Sequence, residues 1–242
     1  MTEQPQPVDA EPRPAWRLLA ALTGLNVLAY VDRQLIVTLA PLLMEDLGLT
    51  RAQVGLLVGA SFIVVFAGLN LVLGAAADRF SRPRLIAAGL AVWSVATGVT
   101  GAARSFVHLA VARLFVGVGE ATLTPAGLSM LGDRFPAHRM GLAGSIFYTG
   151  IPVGFAASFR LAGWIGPWLG WRSCFAVLGL VGLLAVGAVY GGYHYAIDAT
   201  AGALVAAVST MCDAVGLELG AAAEDVPDDV AAKAAALDAA RA

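Results

Sequence analysis

From residue 17 onward the chain runs in long apolar stretches separated by short polar ones. The apolar stretches lie near 17–43, 53–77, 84–103, 107–131, 140–165 and 172–190. An α-helix needs about 20 mostly apolar residues to cross the hydrocarbon core of a bilayer, and each stretch approaches that length. Between them stand LGLTRAQ, DRFSRPR, ARSF, GDRFPAHR and GPWLGWR, where glycine, proline and charge mark the turns. The pattern predicts six membrane-crossing helices with short connections. A further stretch, Tyr193 to Leu217, is richer in alanine and predicts a seventh.

Composition agrees with this pattern. The 242 residues are 59% hydrophobic and only 13% charged, whereas soluble domains carry about 25% charged residues. The expected class is an all-α polytopic membrane protein. A net charge of −2 argues against a nucleic-acid partner, which needs a basic surface. Cys174 and Cys212 lie in apolar stretches without metal-ligand spacing and read as small core residues. His108 and His138 fall at loop edges on opposite sides and cannot share a metal. The glycines of GVGE and GGY lie in apolar helices with no strand before them, so they serve helix packing and not a nucleotide. No cofactor is expected.

Four regions follow. Residues 1–15 are polar and Pro-rich, lack the features of a cleaved signal peptide, and read as a disordered cytoplasmic lead-in. Residues 16–190 form the six-helix bundle, 191–217 the seventh helix and 218–242 an acidic, Ala-rich tail. Orientation follows from the arginines, because cytoplasmic loops retain positive charge. Arg13, Arg17, Arg79, Arg82, Arg84, Arg134 and Arg139 share one side, against Arg51, Arg104 and Arg172 on the other. The N-terminus is therefore expected inside, in a cell (inner) membrane.

Some charges cannot reach a loop easily. Asp32 and Arg33 sit inside the first span, Arg113 and Glu120 inside the fourth. A charge near the bilayer centre costs a few kcal/mol at least, so such residues point to function. At about 1.5 Å per residue, Asp32 lies roughly 16 Å below the outer end of its helix. Arg113 and Glu120 lie roughly 9 Å and 20 Å below the same surface. Asp32 is thus at a level between them. Arg113 and Glu120 are two helical turns apart and share a face, with Gly117 between them leaving room for a neighbouring helix. The three can satisfy one another as a brace that fixes helix register, or line a polar cavity in which a carboxylate gains and loses a proton. Arg33 points about 100° away from Asp32 and is expected to contact a different helix or a carbonyl. Arg160 is expected to snorkel to the outer interface.

Between the second and third spans stands GAAADRFSRPR, residues 74 to 84, with Gly74, Asp78, Arg79 and Arg82 in the order GxxxDRxxRxR. This loop resembles the GxxxDRxGRR signature of the major facilitator superfamily, with Ser81 in place of the loop glycine and Pro83 between the arginines. NVLAYVDRQ, LGLTRAQVGLLVGASF, ARLFVGVGEATLTPAGLSMLGDRFP, GIPVGF and GWRSCF resemble the spinster-like branch of that superfamily, over about residues 17 to 188. The resemblance implies the six-helix N-terminal half of a secondary transporter. It implies proton coupling and gating roles for Asp32, Arg113 and Glu120, and a cytoplasmic latch at the Asp78 loop. A complete member has two such halves with substrate between them. The other wall is then expected from a second copy or from a separate C-terminal half, unless the chain is a truncated remnant without transport. The expected partners are protons, the lipid bilayer and a small organic or lipid-like solute.

The segment AVYGGYHYAIDATAGALVAA is similar to the last motif of the type 2 phosphatidic acid phosphatases, in which a histidine attacks phosphorus and an aspartate steadies it. Those positions fall on His194 and Asp198. The serine and arginine of that motif are replaced by Gly187 and Ala188, and the sole lysine, Lys233, cannot supply the phosphate clamp. The pair reads as a relic, and the chain is not expected to be an enzyme. A phospholipid phosphatase or phosphotransferase is the competing reading.

Overall fold

A computed structural model of the chain describes residues 13–59, 66–70, 73–74 and 79–190. The expected seventh span and tail, with His194 and Asp198, lie outside the described residues, as does Asp78. Among the described residues there is no strand. The helices are α1 (Arg13–Thr38), α2 (Ala40–Leu47), α3 (Arg51–Val58), α4 (Arg82–Gly101), α5 (Phe106–Glu120), α6 (Leu123–Gly132), α7 (Ala137–Tyr148) and α8 (Gly150–Tyr190).

Local sequence sets the helix starts. The Thr50 hydroxyl accepts from the Gln53 N–H at 3.2 Å, while the Gln53 side chain accepts from the Thr50 N–H at 2.8 Å. This reciprocal cap satisfies two donors that the first turn of α3 leaves open. Pro83 occupies the first turn of α4, where its missing N–H costs nothing. Gly48, at φ 63°, closes α2 in the left-handed conformation that glycine adopts without penalty.

The sequence predicts unbroken spans over 17–43, 107–131 and 140–165; the first bends at Leu39, while the other two keep right-handed helical backbone angles through a lapse in hydrogen bonding at Thr122 and at Thr149. In each case a proline sits in the turn that follows: Pro41 after Leu39, Pro125 after Thr122, and Pro152 after Thr149. Proline lacks an N–H, and its ring collides with the carbonyl four residues back, here those of Val37, Ala121 and Tyr148. The α1–α2 pair bends by 53° as a result.

By length and composition, the stretches Arg82–Gly101, Phe106–Gly132 and Ala137–Gly187 suit a membrane crossing, and the bent pair α1–α2 makes a fourth. The last stretch holds two predicted spans. Its helix α8 is two helices run together through Gly170, whose φ of 74° and ψ of 168° are not helical. Pro167 and Gly170 fall in the predicted connection GPWLGWR. The second predicted span falls partly outside the described residues.

Packing centres on α4, which lies against α5 on one side and α8 on the other, while α1 also packs on α8. Small residues permit this approach. A Cβ at Gly119 would lie 2.4 Å from the Gly89 carbonyl oxygen, and one at Gly179 would lie 2.7 Å from the Gly98 nitrogen. Such contacts let polar groups on neighbouring helices meet. Leu19, Leu35, Leu90, Val116, Phe147 and Phe175 fill the buried interior. Phe159, Trp164, Trp168 and Leu184 of α8 stand exposed, as suits a helix facing hydrocarbon.

Candidate functional site

Asp32 and Arg33 are consecutive on α1 and so point about 100° apart. Each finds a partner on α5. Asp32 is fully buried, and its Oδ2 accepts from Arg113 Nη1 at 2.9 Å. Its Oδ1 accepts from the Thr97 hydroxyl of α4, also at 2.9 Å. Arg33 donates through Nε to Glu120 Oε2 at 2.5 Å. Two ion pairs thus join the first and fourth predicted spans, with the third contributing a hydroxyl.

The two pairs differ in surroundings. Both members of the Asp32–Arg113 pair are buried, at 0% and 3% side-chain exposure. Arg33 keeps 21% exposure against 0% for Glu120. The Arg33 guanidinium lies 4.2 Å from the centre of the Phe66 ring and 4.8 Å from that of Tyr30, where the ring faces attract a cation. Glu120 Oε1 is buried and has no hydrogen-bond partner among the described residues. Two cations and two anions leave no net charge, which lowers the cost of placing them in a low-dielectric interior. An arginine can only donate hydrogen bonds, whereas a carboxylate can be neutralised by one proton and then release its cation.

The expectation for Arg33 needs correcting. It does reach another helix, but the helix is the one that carries Arg113, and its partner is Glu120. Helical side chains tilt toward the N-terminus of their own helix. The long Arg33 side chain therefore spans the distance from Asp32's level to the other end of the two-turn interval. Sequence reasoning also missed Thr97, since a threonine in an apolar helix carries no signal of its own. Gly117 is buried, and on the same helix Gly119 closely approaches Gly89.

Polar ties also close both ends of the bundle. At the end where α4 begins and α6 finishes, Arg82 pairs with Asp133. Arg79 of the same loop is exposed and Gly74 is half-buried. At the opposite end Arg172 pairs with Asp46, and its Nη2 donates to the Ala103 carbonyl at 3.0 Å. Trp171 Nε1 also donates to Asp46, at 3.2 Å. The connections after the first, third and fifth predicted spans are thereby tied together. An apolar groove of about 800 Å³ between α4 and α5, lined by Val95, Val99, Val111 and Phe115, holds none of these charges. Among the described residues no group of three metal-ligating side chains forms. His108 and His138 are exposed, Arg160 is half-buried and Cys174 is buried.

Comparison with known proteins places this architecture. The chain is 32% identical over 173 residues to an MFS-type efflux pump of Mycolicibacterium smegmatis, covering 72% of this chain and 40% of the pump. Spinster homolog 1 of Arabidopsis thaliana, whose name assigns it to sphingolipid transport, is 38% identical over 125 residues, covering 52% of this chain and 23% of that protein. The crystal structure of a bacterial homolog of the human lysosomal transporter Spinster, inward-facing and unoccupied, superposes with a TM-score of 0.69 at 26% identity. The superposition covers 75% of this chain and 43% of that one. The chain therefore spans less than half the length of these relatives. The family model of the Major Facilitator Superfamily matches residues 22–209, which include both ion pairs. The chain is a multi-pass membrane protein that belongs to the major facilitator superfamily and is spinster-like within it.

Proposed function

We propose that the chain supplies the N-terminal helical bundle of a proton-coupled secondary transporter for a small organic or lipid-like solute. The observation that carries this reading is the pair of buried, crossed ion pairs, Asp32–Arg113 and Arg33–Glu120, linking separate membrane-crossing segments. Water reaching the site from one side delivers a proton to Asp32 or Glu120. The neutralised acid loosens its arginine, and the helices that the pair held together separate more easily. Loss of the proton to the other side restores the pair. Coupling of this kind needs only a carboxylate whose partner is stronger in one arrangement than in the other.

The named activities of the efflux pump and of spinster homolog 1 support a transport role. The pathway needs a second wall, which a second copy or a C-terminal half would supply. The orientation we propose puts the N-terminus in the cytoplasm of a cell (inner) membrane. It makes the Gly74–Asp78–Arg79–Arg82 loop a cytoplasmic latch, with the Arg82–Asp133 pair as its described contact.

Uptake into proteoliposomes under an imposed pH gradient tests the reading. The probes are labelled sphingosine and a panel of small organic acids. The gradient is expected to accelerate uptake of a probe, and Asp32→Asn or Glu120→Gln to abolish that acceleration. Gradient-driven uptake that ignores both substitutions means that the ion pairs are a brace.

A further inference from the structure

Five hydroxyl side chains among the described residues, Ser94, Thr97, Thr100, Thr122 and Ser158, are buried. Four of them turn back on their own chain: Ser94 donates to Leu90 O at 2.6 Å, Thr100 to Ala96 O at 2.9 Å, Thr122 to Gly119 O at 2.8 Å and Ser158 to Phe155 O at 2.8 Å. This is the usual fate of a hydroxyl in a helix, because its own preceding turn offers the nearest acceptor. Thr97 departs from it. Its hydroxyl donates across to Asp32 on α1.

The position of Thr97 is fixed by packing. A Cβ at Gly179 of α8 would lie 2.8 Å from Ser94 O, and one at Gly89 of α4 would lie 2.7 Å from Gly119 O. The helix that presents Thr97 is therefore seated against α8 and α5 at contact distances that leave it little room to shift. Asp32 meets two donors with different capacities. Arg113 can donate and cannot accept. A hydroxyl can do both, and it rotates to suit its neighbour.

We infer that Thr97 is a positioning residue for Asp32: its hydroxyl donates to the carboxylate and rotates to accept from the carboxyl once a proton is bound, so that the buried side chain keeps a partner in both states. The inference rests on the proton-binding reading of Asp32. The proton comes from water and returns to water, and no other bond is made or broken. The charged groups around Asp32 are Arg113 and Glu120 on α5 and Arg33 on α1. Helix α8, which packs on both α1 and α4, carries Arg160 and Arg172, the latter held by Asp46. Of the two described donors to Asp32, Arg113 and Thr97, it is Thr97 that can also accept.

Infrared difference spectroscopy of the full chain in detergent, titrated with acid, reads this directly. The carboxyl C=O band of protonated Asp32 is identified by its loss in Asp32→Asn. In Thr97→Val the band is expected to move to higher wavenumber, as a carboxyl does when its hydrogen bond is removed; in Thr97→Ser it stays in place. If Thr97→Val does not fold, Thr97→Ala gives the same reading. A band that keeps its position in the valine or alanine variant overturns the role of Thr97 and leaves proton binding by Asp32 intact. Absence of any band sensitive to Asp32→Asn overturns both together.

Discussion

Arg33 Nε stands 2.5 Å from Glu120 Oε2, although Asp32, its neighbour in sequence, is held by Arg113 two helical turns from Glu120. Adjacent residues of opposite charge on one helix thus reach two residues of opposite charge on another. Neither pair forms between groups that are close in the chain, so both report on how the helices are placed.

The two pairs will respond differently to loss of the acid. Asp32→Leu removes the carboxylate that neutralises the buried guanidinium of Arg113 and is expected to cost about 3–5 kcal/mol. Glu120→Leu leaves Arg33 with partial exposure and two ring faces, and should cost less. Adding Arg113→Met to Asp32→Leu is expected to recover most of the loss, because the buried charge goes with it. Denaturant unfolding of the purified chain in detergent, arranged as a double-mutant cycle, measures all three.

A second prediction concerns the seat of α4. Gly119→Ala places a methyl 2.4 Å from the Gly89 carbonyl oxygen and 2.5 Å from Trp93 Cβ. Overpacking of this kind costs about 1–3 kcal/mol. Gly144 has nothing within 4 Å of the same position, so Gly144→Ala is the control and should stabilise by up to about 1 kcal/mol through helix propensity. Thermal melts of the two variants give the comparison. Equal melting temperatures would mean that α4 and α5 do not approach this closely.

The Arg82–Asp133 pair faces water, with 28% and 61% side-chain exposure. Pairs of that kind contribute little to stability, so Arg82→Ala should change it by less than about 1 kcal/mol. Its expected effect is on access. A cysteine introduced at Ser129 is predicted to react faster with a water-soluble maleimide in the Arg82→Ala background. The charge-reversed double variant, Arg82→Asp with Asp133→Arg, should return the rate to its starting value.

The crossing segments among the described residues were legible because about 20 apolar residues in a row have few other uses in a bilayer protein. Asp32, Arg113 and Glu120 were legible for the opposite reason, since charge in such a run is too costly to be incidental. Depth counted along two helices brought these residues to a common level; the structure pairs Asp32 with Arg113 and gives Glu120 to Arg33. Arg33 was misjudged because helix geometry fixes where a side chain starts, and a flexible arginine ends several ångströms away. Thr97 could not be found, because hydroxyls in apolar helices usually bond to their own backbone. The bend at Leu39 was hidden too. Pro41, Pro125 and Pro152 are all visible in the sequence, but proline is tolerated within membrane helices when neighbours satisfy the freed carbonyls, and only the helix at Pro41 bends, so proline alone does not locate a bend.

The bend at Leu39 divides the labour of the first span. Asp32 and Arg33 lie on α1, while Asp46, which pairs with Arg172, lies beyond the bend on α2. The clasp at this end therefore rides on a short helix set at 53° to the one that carries the buried charges. A change in that angle shifts the clasp relative to the charges, which gives this mouth of the bundle a lever arm of its own.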